Sequence, residues 1–548
     1  MKMVAIMIAL LAGQLDLPQV KVQVDPPKVG VKVDLPPPGR LSPLGDIKLG
    51  SPGQELEAIL QQERARLDGI AEKSVDAAEK NAAVLLLRTI PPANPQPALE
   101  GFRFELLPEV VTEKELEGIK QWQASGRLKS LRDETVEELW KVARKAAGQD
   151  QFRITDQALR AIVRRDITQE EAWRLLGYLA WQDGCATPYA VAQMQKGHVQ
   201  HSKYGWIESS WQAHLDAGQL PIGIDTRTKK VVWGPADEAN RAHAEWKNAW
   251  EIVTEHFRIR SNLGFADAVA FGRKLEAFYP FFFSLMADLI GPELPLAKRW
   301  RVKNLRPAVS PVVHQVAYFA SKDDYIRELL PIEGESIAES IGYYRRPPQN
   351  AGSRQRGGRG MSYFFHDPGG QLPVEATLFH EASHQLLFET AGRDKLDANR
   401  GHYWLFEGLG TCFETVVVKS DREINFGKPV GARMDVARQR ILENRVFTPY
   451  EVMEGYGQIS FNMASKVHDH YAQAMALTLY FLVGADARTR DIFMDYARDA
   501  YKGRMRGARG LSDRLGQESI KLDSSFIKYL RLTDTKKPIE VIEKKVCE

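Results

Sequence analysis

His380-Glu381-Ala382-Ser383-His384 constrains this chain more than any other stretch of it. Histidines four residues apart sit one turn from each other on the same face of an α-helix, so both imidazoles can reach a single ion. Glu381 lies about 100° further round, beside the coordination position left open, where a general base stands over a metal-held water. Leu378, Phe379, Ala382, Leu386, Leu387 and Phe388 surround the motif with apolar surface and call for a buried helix. One histidine on such a helix is usually a satisfied core residue. Two of them beside a glutamate, with a further carboxylate-bearing helix downstream, make a metal group the stronger reading.

That downstream helix is Trp404-Leu405-Phe406-Glu407-Gly408-Leu409-Gly410-Thr411-Cys412-Phe413-Glu414, reached after a polar stretch from Arg393 to Arg400. Apolar residues at 405, 406, 409 and 413 pack it against the first helix, with Glu407 at its start and Glu414 two turns on. Hydrolytic zinc sites take two histidines and a carboxylate and keep the fourth position for water, so His380, His384 and Glu407 are the expected ligands. Glu414 is either an acceptor that orients a ligand histidine or part of a solvated face. His402 reads as a loop residue, and Cys412, five past Glu407, turns away from the metal side. The sequence resembles the gluzincin metallopeptidases, which pair HExxH with a glutamate on the following helix. Trp404, Leu405, Glu407, Gly408, Gly410 and Glu414 are similar to the aminopeptidase branch. The 22 residues between His384 and Glu407 exceed the familiar spacing. The His-Glu-Ala-x-His-Gln-Leu and Trp-Leu-x-Glu-Gly segments are most similar to an uncharacterised family of exported HExxH proteins typical of planctomycete bacteria. The likeness covers roughly residues 250 to 500.

The resemblance implies zinc-dependent peptide hydrolysis. Zinc lowers the pKa of a bound water to about 7; Glu381 takes its proton as the carbonyl is attacked and returns it to the leaving amine. The oxyanion needs a donor. Tyr471, in His468-Asp469-His470-Tyr471-Ala472 at the mouth of an apolar helix, is the first choice, with His470 and His468 behind it; the alternative is a core aromatic with its hydroxyl at the surface.

Along the chain, Lys2 and the apolar Met3–Ala12 run have signal-peptide proportions, so residues 1–14 read as an export signal and the protein as exported to periplasm, envelope or medium. Residues 15–54 form a Pro-rich linker. Residues 55–249 read as a mostly helical accessory region, with short hairpins near Trp206 and Trp233; one tetratricopeptide-like helix pair is visible around 158–178, with no second copy at a fixed period. From residue 250 to 548 the order is that of a zincin-like α+β domain. Phe257–Arg260 and Val312–Ala320 alternate as strands around a helix from Ala266 to Ile290, Ser321 caps a further helix, and Gly342–Tyr344 and Met361–Phe365 are strands that precede the motif. This order puts Met361–Phe365 at a sheet edge, open to an extended peptide.

The balance of 74 Lys+Arg against 71 Asp+Glu gives no push toward nucleic acid. The arginines of 345–359 and the Gly503–Gly510 stretch read as loops rather than RNA contacts. Phe278–Ile290, interrupted by Asp288, is a core helix and not a membrane span. Cys185, Cys412 and Cys547 are too few for a disulfide framework. The expected partner is a peptide or protein substrate. The competing reading is a silent zincin-fold binding or envelope-scaffold protein, against which the intact Glu381 argues.

Overall fold

A five-stranded sheet carries the motif helix. In the computed structural model its strands are β1 (Trp250–Val253), β2 (Phe257–Ser261), β3 (His314–Phe319), β4 (Gly342–Arg345) and β5 (Met361–Phe365), ordered β4-β5-β3-β2-β1. The structure describes residues 50–89, 97–112, 114, 118–228, 230–346, 360–369, 374–390, 401–443, 446–463, 465–505 and 509–534. The signal segment, nearly all of the Pro-rich stretch, the 347–359 loop, the polar 391–400 stretch and Cys547 lie outside the described residues. The architecture is α+β, with the small sheets set among many helices.

Strands β2, β3 and β5 run parallel, and β1 and β4 close the two edges antiparallel. Period-two alternation sorts the side chains to two buried faces. Val316, Tyr318 and Phe364 face the largest core, while Ala317, Phe319 and Phe365 face a second cluster built on Tyr325 and Leu329 of the Lys322–Glu333 helix. That helix starts as its sequence requires: the Ser321 hydroxyl accepts from the Asp324 N–H. The sheet corrects one expectation. Met361–Phe365 is an interior strand, paired with β3 on one side and β4 on the other, so the open edge beside the motif belongs to Gly342–Arg345. Strand order along the chain does not set strand order in a sheet; here β5 inserts parallel to β3, and the earlier β4 is left outside it.

On the first face lie the Phe265–Leu285 helix and α1 (Val374–Thr390), joined through Phe278 and Phe379 at a ring separation of 5.0 Å. Gln385, fully buried on α1, accepts from the Ser362 hydroxyl at 2.7 Å and donates to the Gln315 carbonyl at 3.0 Å, pinning the helix to β5 and β3. Beyond α1 come α2 (Tyr403–Cys412) and α3 (Val467–Leu479), with Trp404 of α2 wholly buried against Tyr450 and Phe493.

The largest core also takes in the N-terminal helices. Arg153, buried in the Phe152–Val163 helix, pairs with Asp491 at 2.5 Å, and Asp491 also accepts from the Gly53 N–H. Between these helices and β1 stand three tandem units that the sequence reading left unrecognised. Each is a short helix, a glycine at positive φ, and a hairpin. The glycines are Gly177, Gly197 and Gly218, in steps of 20 and 21 residues. Two residues past each glycine, Leu179, Val199 and Leu220 pair with Ala186, Ile207 and Gly234. Left-handed backbone at the end of a helix favours glycine, which makes these three the shared signature of the units.

Candidate metal centre

Helix α1 delivers its two histidines as the four-residue spacing demands. The Nε2 atoms of His380 and His384 stand 3.1 Å apart, and the Glu407 Oε2 lies 3.7 and 3.8 Å from them. His380, His384 and Glu407 are the group among the described residues whose ligand atoms converge closely enough to hold a metal ion. Tetrahedral coordination at 2.0–2.2 Å separates its donors by roughly 3.3 Å, so small adjustments close the three atoms around one ion.

Two further observations fit a metal. The His380 Nδ1 is 3.0 Å from the Glu414 Oε1; with its Nδ1–H given to that carboxylate, the neutral ring carries its lone pair at Nε2, toward the other ligands. Gly410 faces the same spot. A Cβ there would come within 2.8 Å of the His384 Nε2 and 3.0 Å of the His380 Nε2, so the bare backbone of α2 keeps the cradle open.

Glu407 sits one turn into α2, which begins at Tyr403 rather than at Glu407. The Tyr403 hydroxyl donates to the Glu407 Oε1 at 2.7 Å, leaving Oε2 toward the histidines. Burial alone would push this carboxyl up, yet the His384 and His380 contacts and the Tyr403 hydroxyl hold it at about 2. Glu414 is half-buried and paired, not on a solvated face. Burial raises it, but Arg433 and His380 bring it below the usual carboxylate range, and the Arg433 Nε donates to its two oxygens at 3.0 and 2.8 Å.

Glu381 is buried on α1, and its Oε2 accepts the Tyr344 N–H of β4 at 3.1 Å. Burial, with the Glu407 charge adding to it and His380 opposing, pushes its carboxyl up to about 7. A dication in the cradle would draw it down again. Tyr471, on the first turns of α3, is buried and lies near enough to Glu407 to feel its charge, with the Arg433 guanidinium 5.5 Å from its ring centre. Burial and the Glu407 charge raise its phenol well above the ordinary value, so it stays a donor. Tyr471 is therefore a buried neighbour of Glu407 and not a surface aromatic.

The remaining residues fall outside the group. His470 gives its Nδ1 to the Phe461 carbonyl, at 2.7 Å, and His402 pairs with the Tyr496 hydroxyl. Cys412 is a buried free thiol bonded to the Leu409 carbonyl. Tyr403, Arg433 and the Tyr344 N–H were missed from sequence, and Gly410 was read as part of the motif without its place beside the histidines. Of the three missed, Tyr403 alone had a signal, its place one turn before Glu407.

Fold and site together define an α+β protein with a largely buried two-histidine, one-glutamate group that could hold a metal ion. A family model described as a protein of unknown function (DUF1570) matches residues 374–503, the stretch from the start of α1 past Tyr471. No curated protein and no solved structure matches the chain. Among the described residues no helix is long and apolar enough to cross a membrane.

Proposed function

We propose that the chain is a zinc-dependent peptidase of the gluzincin kind, with a zincin-like arrangement of sheet, motif helix and glutamate helix. The observation that carries this reading is the convergence of the His380, His384 and Glu407 ligand atoms beside the buried Glu381. Two imidazoles and one carboxylate are the donor set of hydrolytic zinc, which when bound supplies Lewis acidity to a carbonyl and acidifies water.

This chain's residues then divide the work. Glu381, oriented by the Tyr344 N–H, takes a proton from the attacking water and gives it to the leaving amine. Tyr403 and Glu414 fix the orientation of Glu407 and His380. Tyr471 supplies a protonated phenol for the developing oxyanion. Burial of the group excludes bulk water and strengthens each of these contacts. The apolar Met3–Ala12 run behind Lys2 supports export of the enzyme.

Zinc analysis of the purified full chain, paired with Glu381→Gln, tests the reading. The expected result is about one zinc per chain in wild type and variant, with hydrolysis of unfolded casein lowered by at least about 100-fold in the variant. Glu407→Ala is expected to lose the zinc. Absence of zinc from wild type overturns the site; zinc with no cleavage of casein or a peptide library favours the silent binding protein instead.

A further inference from the structure

Tyr344 of the edge strand β4 is gripped twice by the motif helix. Its N–H donates to the Glu381 Oε2 at 3.1 Å, and its hydroxyl donates to the Glu389 Oε1 at 3.3 Å. Glu381, Gln385 and Glu389 follow one another at four-residue steps on α1, so they share a face and span roughly 12 Å of helix. The Glu389 side chain is only 5% exposed, and it gathers more than the phenol. Its Oε1 also accepts the Gly360 N–H at 3.0 Å and the Gln385 amide at 3.3 Å. Its Oε2 lies 2.6 Å from the Nδ1 of His314, a fully buried residue that opens the interior strand β3. One carboxyl group thus ties α1 to β3, to β4 and to the residue before β5. Gly360 leaves room for the arrangement: a Cβ there would run into the Tyr344 ring, its hydroxyl and the Arg345 carbonyl.

We propose that Glu389 is a positioning residue for the general base: by holding the Tyr344 phenol it keeps the Tyr344 N–H on Glu381. The proposal rests on the peptidase reading, in which Glu381 moves the proton, and adds the part of the fold that aims it. Strand β4 needs such a hold. It is an edge strand, with a ladder to β5 on one side and no strand on the other among the described residues. A hydrogen bond weakens steeply as its donor swings off line, and a base displaced by about 1 Å forfeits much of its rate advantage. With both ends of Tyr344 fixed to α1, β4 cannot slide along the helix without breaking the two bonds together. His314 holds the second Glu389 oxygen, so the clamp is referred to the interior of the sheet and not to its edge.

Steady-state cleavage of a peptide by the zinc-loaded full chain tests the clamp. Tyr344→Phe deletes the phenol oxygen and keeps the ring and the N–H. It is expected to lower kcat by about tenfold with KM within about twofold and zinc content unchanged. Glu389→Gln should do at least as much, and the double variant should lose no more than Glu389→Gln alone, because the two residues act through one contact. Ser362→Ala is the control for general loosening. It removes a different tie between α1 and the sheet, the 2.7 Å bond to Gln385, and is expected to lower the unfolding temperature while kcat stays within about twofold of wild type. A Tyr344→Phe kcat equal to wild type, independent losses that multiply in the double variant, or an equal kcat loss in Ser362→Ala overturns the clamp and leaves the peptidase reading standing. Hydrogen exchange over 342–345, followed by mass spectrometry on the same proteins, reads the grip without catalysis. Exchange at least about fivefold faster in Tyr344→Phe and Glu389→Gln than in wild type is expected. If wild type cleaves no peptide but the exchange difference appears, the peptidase reading falls and the clamp on Tyr344 stands; equal exchange in the three proteins overturns the clamp.

Discussion

Gly410 is the residue that most directly separates a metal cradle from an ordinary buried polar cluster. Alanine there adds a methyl group within 3.0 Å of both ligand nitrogens and within 2.9 Å of the His384 Cε1. The same change favours the helix, since alanine exceeds glycine by about 1 kcal/mol in a helix interior. The two effects have opposite signs on stability and the same consequence for the site: the rings must turn away. Gly410→Ala is therefore expected to bind zinc at least about 100-fold more weakly while the chelator-treated protein unfolds within a few degrees of wild type. Zinc titration and thermal unfolding on the same preparations check it, and undiminished zinc affinity would remove Gly410 from the cradle. At this scale the ligand atoms were legible in the sequence because helical spacing converts directly into geometry. His380 and His384 need one turn, and Glu407 needs a second helix packed on the first. Arg433 was not legible. It reaches Glu414 across 19 positions of chain and through a different helix, and no local pattern encodes such a meeting.

At the scale of elements, the crossing of α2 and α3 positions Tyr471 against Glu407. Gly408 makes the crossing close, with its missing Cβ facing the Thr478 hydroxyl at 2.4 Å and the Ala474 carbonyl oxygen at 2.8 Å. Part of that contact is backbone, which cannot rotate out of the way. Gly408→Ala should cost about 1–3 kcal/mol from overpacking and move α3 outward, carrying Tyr471 away from Glu407. A lower urea midpoint, with peptide cleavage reduced more than zinc content, is the expected outcome. A midpoint equal to wild type would mean that the helices can re-seat without strain. The elements themselves followed from periodicity and caps, as with Ser321 ahead of Lys322–Glu333. Their neighbours did not. The alternation in Met361–Phe365 specifies a strand buried on two faces without saying which strands flank it. The three helix-glycine-hairpin units share a backbone path and the pairings Leu179–Ala186, Val199–Ile207 and Leu220–Gly234, with little shared side-chain identity for a repeat search to find.

At the scale of the whole molecule, those units meet the sheet of the candidate centre through a cluster of ionisable groups. Glu109 accepts from the Trp206 indole at 2.6 Å and from Gln200 at 2.9 Å. Across the seam, the His256 Nδ1 meets the Glu276 carboxylate at 2.8 Å, and the His256 ring stacks on Tyr279 at 3.6 Å. Glu255, 3.8 Å from the other His256 nitrogen, is pushed up to about 7 by burial, with Glu276 and Glu109 adding to the effect and His256 opposing it. The folded protein therefore keeps a proton on Glu255 between its ordinary 4.5 and about 7, where the unfolded chain has released it. Stability must fall as pH rises through that window and level off above it. His256 acts in the same direction: burial lowers its pKa, but the Glu276 charge and hydrogen bond raise it further, so its contribution is also lost as it deprotonates. The carboxylate alone accounts for on the order of 3 kcal/mol across the window. Glu255→Gln holds the side chain neutral at every pH. Its unfolding temperature is expected to match wild type near pH 5 and to exceed it by a few degrees at pH 8, with a residual slope left by His256. Parallel curves for the two proteins from pH 5 to 8 would show that Glu255 is ionised in the folded seam throughout and that the junction draws its stability from packing around Tyr279 and Trp206.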